Sequence, residues 1–149
     1  MEKTFVMIKP DAVQRGLTGA IISRYEAKGL QIAGMKMMYI TEEMAREHYA
    51  EHIDKPFFPE LLRYLTSGPV VVLVLAGKYA VEEVRKLNGA TNPLKAACGT
   101  IRGDFAQETG RNVVHGSDSV ESAARETAIY FEEHEVLDYD YLPSRWLFE

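Results

Sequence analysis

The sequence predicts an α/β (α+β) sandwich of the ferredoxin-like class, in which helices cover a four-stranded antiparallel sheet. Two observations lead to this class. Short apolar segments alternate with helical segments in the order β-α-β-(α,α)-β-α-β-α, which is the ferredoxin-like order with an inserted helical pair and a long loop before the last strand. The 149 residues also contain no repeat, low-complexity tract or flexible linker, so we expect one domain over residues 1–149.

Hydrophobic spacing predicts the first strand, the first helix and the second strand. Thr4–Ile8 is a short apolar run that ends before a Lys-Pro pair, as a strand would. Thr18–Lys28 has helical periodicity and is followed by Gly29, a favoured residue just after a helix. Ile32–Ile40 then alternates methionine and tyrosine with lysine, which indicates a second strand.

The inserted helical pair comes next. Thr41 followed by two glutamates is typical of a helix cap with acidic residues in the first turn. Pro59 can begin a second helix, since proline is well tolerated at the start of a helix, and three leucines supply its apolar stripe.

The second half of the chain predicts two more strands. Val70–Leu75 is an unbroken run of β-type residues and indicates a strand buried on both faces. Tyr79–Asn88 is a helix that ends at Gly89. Residues 89–111 have no clear period, so we expect a long loop there, and long loops in compact domains are usually functional.

The valine pair Val113-Val114 predicts the last strand, and a helix follows it. The apolar face of that helix is expected to be Val120, Ala123, Ala124, Thr127, Ala128 and Phe131.

Composition limits the function classes. The formal net charge of -5 argues against a general nucleic-acid binder with a basic surface, although a local arginine cluster could still bind small anions. The single cysteine, Cys98, cannot form an internal disulfide, so we expect a cytoplasmic location. No segment has the length and apolarity of a signal peptide or a membrane span, so no membrane association is expected.

The stretch NVVHGSDS, residues 112–119, carries the strongest chemical signal. A lone histidine is more often a packing or surface residue, but His115 stands at a predicted strand end beside Gly116, which leaves room for a bulky group to approach the ring. Ser117, Asp118 and Glu126 offer acceptors that could hold one ring nitrogen and orient the other. An imidazole that is cleared on one side and held on the other suits nucleophilic attack on phosphorus.

Four cationic residues suggest a phosphate-binding site: Lys9, Arg85, Arg102 and Arg111. Isolated surface arginines are normally only solvated. Arg85 and Arg102, however, flank the predicted loop that holds Thr91, and arginine binds phosphate oxygens bidentately. With His115, these residues indicate phosphoryl chemistry.

Two aromatic residues stand between prolines in KPFFP, residues 55–59. One of them is expected in the core. The other, held by the prolines, could stack on a nucleobase without reading its edge, which would make the site tolerant of different bases. On periodicity alone, His48 and Tyr49 are as well explained by packing as by a site.

Seven motifs in order along the chain resemble those of nucleoside diphosphate kinases: MIKPDAVQRG, HYAEH, KPFFPEL, SGPVVVLVL, GATNP, GTIRGDF and NVVHGSDS. The resemblance implies an enzyme that moves the γ-phosphate of a nucleoside triphosphate to a nucleoside diphosphate by a ping-pong mechanism through a phosphohistidine, with broad base tolerance. It further implies Mg²⁺ carried on the nucleotide phosphates rather than held by protein side chains. It also implies a homo-oligomer, a hexamer or a tetramer of dimers.

The resemblance also implies a role for individual residues. His115 matches the phosphorylated histidine, and Glu126 and Ser117 match the residues that hold its ring. Lys9 and Tyr49 match the pair near the transferred phosphoryl group. The matched nucleotide-binding residues are Lys9, Asn112, His52, Arg85, Thr91, Arg102 and, as the base-stacking aromatic, Phe57.

One segment departs from the family pattern. Residues 94–98 are LKAAC, where many relatives carry a proline just before Gly-Thr-Ile-Arg. The loss of a proline loosens a loop that relatives use in subunit contacts, so it puts the strength of assembly in doubt. Two other hypotheses are open: a regulatory or scaffolding relative that binds nucleotides without turnover, and a nucleic-acid-binding module on the same fold, which the charge disfavours.

Overall fold

Four strands form one antiparallel sheet in the order β2-β3-β1-β4 in the computed structural model, which describes residues 1–149. The strands are β1 (Glu2–Ile8), β2 (Gln31–Met38), β3 (Val70–Gly77) and β4 (Val114–Gly116). Each neighbouring pair is antiparallel. This topology confirms the predicted ferredoxin-like class.

Eight helices surround the sheet, and three short 3-10 turns join them at Ala50–His52, Pro93–Lys95 and Glu133–Glu135. The helices are α1 (Pro10–Gln14), α2 (Thr18–Lys28), α3 (Glu42–His48), α4 (Phe58–Leu65), α5 (Ala80–Asn88), α6 (Ile101–Phe105), α7 (Val120–Tyr130) and α8 (Ser144–Leu147). The inserted helical pair of the prediction is α3 and α4. As predicted, Thr41 caps α3 with its side chain, and Gly29 ends α2 in the left-handed conformation.

Alternate residues of the central strands build a core on each face of the sheet. Val6 and Ile8 of β1 belong to the cluster that faces α2 and α5. Phe5 and Met7 belong to the opposite cluster, which α3, α4 and α7 cover. Because successive side chains of a strand point to opposite faces, a strand covered on both sides must be apolar throughout. β3 is buried at every residue for this reason.

The prediction of a long loop over residues 89–111 was wrong in part. The segment contains the 3-10 turn Pro93–Lys95 and the helix α6. Thr100 caps α6, since its Oγ1 accepts a 3.0 Å hydrogen bond from the backbone N–H of Gly103. A five-residue helix is too short to show hydrophobic periodicity, so its capping residue was the only sequence feature that could have indicated it.

The predicted apolar face of α7 was also partly wrong. The buried residues of α7 are Ala123, Glu126 and Tyr130, whereas Ala124 and Ala128 are exposed. Alanine has little apolar surface, so a period built on alanines does not decide which face of a helix turns inward. In α7, the large side chain of Tyr130 and the hydrogen bonds of Glu126 determine which face turns towards the core.

The last strand begins one residue later than the valine pair suggested. Val114 starts β4, but Val113 is fully buried with a φ of 63°, the one non-glycine residue of the chain with a positive φ. A β-branched residue is disfavoured in this left-handed region. The backbone therefore turns sharply just before the strand that carries His115.

Several large apolar side chains lie on the surface. Met35 and Met37 on the edge strand β2, and Tyr39 just after it, are all more than half exposed. Trp146 in α8 is 93% exposed. None of the helices combines the length and apolarity needed to cross a bilayer.

Candidate active site

The predicted site residues converge on one cleft of about 550 Å³. The strand β1 ends at its floor, and α5, α6, α7 and the segment after α3 form its walls. Nine of the residues matched to the family line it: Lys9, Tyr49, His52, Arg85, Thr91, Arg102, Asn112, His115 and Glu126. Asp118 lines it as well. Ser117 does not line the cleft but contacts Glu126 from the protein interior. Phe57 lies outside the cleft, next to His52.

The pairing of β1 with β4 places the nucleophile candidate beside the lysine. Met7 is opposite His115 in the antiparallel register, and the backbone N–H of Lys9 donates a 2.8 Å hydrogen bond to the carbonyl of Val113. Residues that lie about 100 positions apart in the chain are thus neighbours at one edge of the sheet.

His115 is held from behind by a carboxylate. Its Nε2 lies 2.7 Å from Oε1 of Glu126, and the hydroxyl of Ser117 donates a 2.8 Å hydrogen bond to the same oxygen. Glu126 and Ser117 are buried, whereas the side chain of His115 is 20% exposed. Nδ1 of His115 has no protein hydrogen-bond partner. An imidazole that donates from Nε2 carries its lone pair on Nδ1, and that nitrogen is free to react.

The Glu126 carboxyl stays ionised although it is buried. Burial raises its pKa, but the hydrogen bond and electrostatic attraction of His115, the attraction of His48 and the hydrogen bond from Ser117 together hold the pKa below its usual value. An ionised carboxylate accepts hydrogen bonds only, so it fixes the proton of His115 on Nε2.

Lys9 supplies a buried positive charge. Its Nζ donates a 2.8 Å hydrogen bond to Oδ1 of Asn112, whose amide in turn donates to the carbonyl of Thr91. Burial and the neighbouring Arg102 lower the pKa of Lys9 to about 8, partly opposed by Asp11. The ammonium is therefore charged near neutral pH and begins to lose its proton at mildly alkaline pH.

The two arginines of the cleft are held very differently. The Arg102 guanidinium is buried and donates to three backbone carbonyls: Gly89 at 2.8 Å, Val114 at 2.7 Å and Asn112 at 3.3 Å. Arg85 is exposed and makes one long contact of 3.4 Å, to the Gly116 carbonyl. Arg102 is thus part of the framework that holds the loop against β4, whereas Arg85 is available to a ligand.

The two phenylalanines of KPFFP separate as predicted. Phe58 is buried, and Phe57 is 50% exposed with its ring 5.7 Å from that of His52. An exposed ring at the mouth of the cleft gives a planar group a surface on which to stack.

The expectation for Gly116 needs a correction. A Cβ at this position would lie 2.8 Å from Nδ2 of Asn88 and 3.1 Å from Cγ1 of Val84. Both neighbours belong to α5, so the missing side chain allows this helix to pack closely on β4 rather than clearing a path to the His115 ring.

Sequence reasoning did not single out His48 as a site residue. Its ring is buried in the wall of the cleft, packs in parallel on Tyr49 at 4.3 Å and meets the edge of His115 at 4.7 Å. Nδ1 lies 2.8 Å from the hydroxyl of Tyr130, and Nε2 has no hydrogen-bond partner but lies 3.7 Å from Oε1 of Glu126. The signal that the sequence offered was the position of His48 at the start of the HYAEH motif, four residues before His52.

Comparison with known proteins identifies the family of the chain. Residues 2–136 match the nucleoside diphosphate kinase family. The nucleoside diphosphate kinases of Archaeoglobus fulgidus and Carboxydothermus hydrogenoformans are 56% and 55% identical over 149 residues, which is all of this chain and at least 99% of each relative.

Solved structures agree as well. A halophilic nucleoside diphosphate kinase from Halobacterium salinarum in complex with CDP is 51% identical, with a TM-score of 0.97 and 99% of both chains covered. The nucleoside diphosphate kinase of Encephalitozoon cuniculi is 42% identical, with a TM-score of 0.96 over 99% of this chain and 100% of that one. The chain belongs to the nucleoside diphosphate kinase family, the enzymes that transfer a phosphoryl group from a nucleoside triphosphate to a nucleoside diphosphate.

Proposed function

We propose that this chain transfers the γ-phosphate of a nucleoside triphosphate to a nucleoside diphosphate in two steps, through a phosphohistidine at His115. Nδ1 of His115 attacks the γ-phosphorus, the bond to the β-γ bridging oxygen breaks, and the nucleoside diphosphate leaves with the electron pair. A second nucleoside diphosphate then attacks the phosphorus with a terminal oxygen, and the N–P bond breaks. The observation that carries this proposal is the 2.7 Å contact of Nε2 with Glu126, which leaves Nδ1 without a protein partner.

The cationic side chains neutralise the phosphates. Lys9, Arg85 and Arg102 all line the cleft around His115. Phosphoryl transfer through a loose transition state needs positioning and charge neutralisation more than covalent help, and these three charges supply it. His52, Thr91 and Asn112 offer hydrogen-bonding groups in the same cleft. Tyr49, whose ring lies 6.4 Å from that of His115, is proposed to contact the transferred group.

The base of the nucleotide is proposed to stack on Phe57. Its half-exposed ring supports this role, because stacking on an aromatic face contributes about 1–3 kcal/mol and does not distinguish between bases. A single site that takes donor and acceptor nucleotides in turn benefits from such tolerance. The structure of the Halobacterium salinarum relative holds CDP, a nucleotide of the expected class.

Mg²⁺ is proposed to arrive on the nucleotide phosphates. The one group of nearby potential ligands in the chain is His48, His115 and Glu126, with two imidazoles and a single carboxylate. Mg²⁺ prefers oxygen ligands and retains several waters, so this nitrogen-rich set suits it poorly. Triphosphate oxygens would supply the donors that the protein lacks, and the metal would add its positive charge to those of Lys9 and Arg85.

We also propose that the chain is a single domain over residues 1–149 and that it associates with copies of itself in the cytoplasm. The exposed Met35, Met37 and Tyr39 on and beside the edge strand β2 support self-association, since exposed apolar side chains at the edge of a sheet favour association with another surface. The single exposed thiol of Cys98 suits a reducing compartment. Light scattering in solution measures the assembly directly, and a monomer mass of 16.8 kDa would contradict self-association.

The experiment that tests the reaction is isolation of the intermediate. Incubation with γ-labelled ATP and Mg²⁺ should label the protein with one phosphate per chain, and the label should survive alkali and be lost in acid. His115→Ala should take up no label. Adding GDP to the isolated phosphoenzyme should release labelled GTP. Wild-type protein that binds nucleotide but stays unlabelled would instead support the regulatory or scaffolding hypothesis.

A further inference from the structure

His48 is a buried titratable group to which the proposed mechanism gives no task. Its side chain is 2% exposed and is surrounded by aromatic rings: Phe5 at 6.0 Å, Tyr49 at 4.3 Å and Tyr130 at 5.6 Å. Burial, reinforced by the nearby His115, lowers its pKa to about 3 despite the attraction of Glu126. The ring is therefore neutral near pH 7 and carries one proton, on one nitrogen or the other.

The contacts of the ring decide which nitrogen carries that proton. If the proton is on Nδ1, it points at the Tyr130 hydroxyl 2.8 Å away, and the lone pair of Nε2 faces the Glu126 carboxylate at 3.7 Å. If the proton is on Nε2, the Tyr130 hydroxyl donates to Nδ1, and an N–H dipole points at the carboxylate. The second arrangement is favoured, because a lone pair is repelled by a negative charge in a buried setting and an N–H is attracted to it.

We propose that His48 is a positioning residue for phosphoryl transfer: with its proton on Nε2 and its Nδ1 accepting from the Tyr130 hydroxyl, it directs Nε2–H at Glu126 and thereby holds the carboxylate against Nε2 of His115. The inference rests on the proposed role of His115 as the phosphorylated residue. The chain of contacts runs from Tyr130 through His48 and Glu126 to His115. At 3.7 Å the step from His48 to Glu126 is longer than a hydrogen bond, so it acts by electrostatic attraction in a buried setting.

Two positively charged side chains, Arg125 and Lys9, also lie near His48, but neither holds Glu126 in the way that His48 can. Arg125, on the same helix as Glu126, donates to the His48 carbonyl at 3.4 Å and approaches the second carboxylate oxygen, Oε2, at 3.7 Å. Its side chain is half exposed, so solvent weakens its attraction. Lys9 also acts on the ring, and it too carries positive charge. Of these groups, His48 alone presents a buried N–H to Oε1, the oxygen that contacts His115 and also accepts from the Ser117 hydroxyl.

A pair of amide substitutions separates positioning from packing. His48→Gln places an amide N–H near the position of Nε2, whereas His48→Asn reaches only the position of Nδ1 and keeps the contact with Tyr130. If His48 positions Glu126, the rate constant for phosphorylation of His115 should fall in His48→Asn by about tenfold to a hundredfold, as for other residues that orient a histidine from behind. His48→Gln should recover most of that loss. KM for the nucleotide should change little in either variant, since only 2% of the His48 side chain is exposed.

Tyr130→Phe provides an independent test of the tautomer. Without the Tyr130 hydroxyl, only the repulsion between Glu126 and the lone pair of Nε2 disfavours a proton on Nδ1 of His48. We therefore expect the rate constant for phosphorylation to fall less in Tyr130→Phe than in His48→Asn. Adding this change to His48→Asn should cause no further loss, since both act through one contact chain. Imidazole ¹⁵N spectra of histidine-labelled wild type should show His48 protonated on Nε2.

The outcomes are separable. If the wild type forms no phosphoenzyme, the proposed function fails. If it does and folded His48→Asn is phosphorylated as fast as the wild type, or His48→Gln is as slow as His48→Asn, the role of His48 is overturned. Should the asparagine variant not fold, a wild-type spectrum with the proton on Nδ1 would overturn it as well. The exposed His134→Asn serves as control and should match the wild type throughout.

Discussion

Lys9 and Asn112 lie 103 residues apart in the chain, yet Nζ of Lys9 donates a buried 2.8 Å hydrogen bond to Oδ1 of Asn112. The contact connects the end of β1 to the residue just before the turn into β4. It holds the buried ammonium in the cleft and offsets part of the free energy that is lost when Lys9 is removed from water.

Activity should decline at alkaline pH because Lys9 loses its charge. With the pKa of Lys9 lowered to about 8, we expect kcat/KM of the wild type to fall as pH rises through that value. Asn112→Ala removes the acceptor of a charged donor, which is worth about 1.5–3 kcal/mol, so the fall should begin about one to two pH units lower. Profiles of kcat/KM between pH 6 and pH 10 check this. A profile that is flat to pH 10 in both proteins would contradict it.

The lowered pKa of Lys9 also predicts how the free energy of unfolding changes with pH. The folded pKa of Lys9 lies below the unfolded value, so between about 8 and 10.5 the unfolded chain binds more protons than the folded one. The contribution of Lys9 to the free energy of unfolding therefore rises with pH across this window. Lys9→Met should remove that rise, and urea unfolding at several pH values measures it. If the free energy of unfolding of Lys9→Met rises with pH as in the wild type, a group other than Lys9 causes the rise.

The two arginines should respond differently to truncation. Arg102→Ala removes the guanidinium that donates to three backbone carbonyls. The Asn112 carbonyl still accepts from the Val114 N–H at 2.8 Å, but the Gly89 and Val114 carbonyls lose this donor, at about 1–3 kcal/mol each. We therefore expect loss of stability together with loss of phosphoryl transfer. Arg85→Ala removes an exposed side chain and should change the free energy of unfolding by only about 0.5 kcal/mol while activity falls. Urea unfolding and steady-state kinetics on both variants provide the comparison. Equal destabilisation by the two changes would show that Arg85 is also structural.

The adjacent phenylalanines form a matched pair. Phe57→Ala should weaken binding of every nucleotide by about 1–3 kcal/mol, roughly 5-fold to 150-fold, with little effect on stability, because the ring is exposed. Phe58→Ala should cost about 3–5 kcal/mol of stability, because that ring is buried. Titration with ADP, GDP and CDP measures the first effect. A loss confined to purines would mean that another contact recognises the base.

The backbone at Val113 should carry measurable strain. Val113 and Val114 are both fully buried, but only Val113 has a positive φ. Glycine at either position loses the same side chain, and at Val113 it also relieves a left-handed conformation that costs an L-residue about 1–2 kcal/mol. Val113→Gly should therefore be less destabilising than Val114→Gly by about that amount. Chemical denaturation of the two variants decides the question, and equal losses would argue against strain at this turn.

Much of the fold could be predicted from the sequence, because each strand and long helix has its own period. The unbroken apolar run of β3 required cover on both faces, and Gly29 ended α2 where expected. The short helix α6 was missed, since five residues cannot display a period. The inward face of α7 was missed in part, because its alanines left the choice to Glu126 and Tyr130.

The sequence by itself determined the types of residue available for chemistry: a histidine beside small polar residues, cations on either side of an irregular segment, and an aromatic ring between prolines. Only the tertiary structure decided which of them act together. Strand pairing places His115 beside Lys9, and the packing of α3 against α7 turns His48 towards Glu126. The physical reason is that hydrophobic periodicity is a local property, whereas burial and the hydrogen bonds that compensate for it join residues that are distant along the chain.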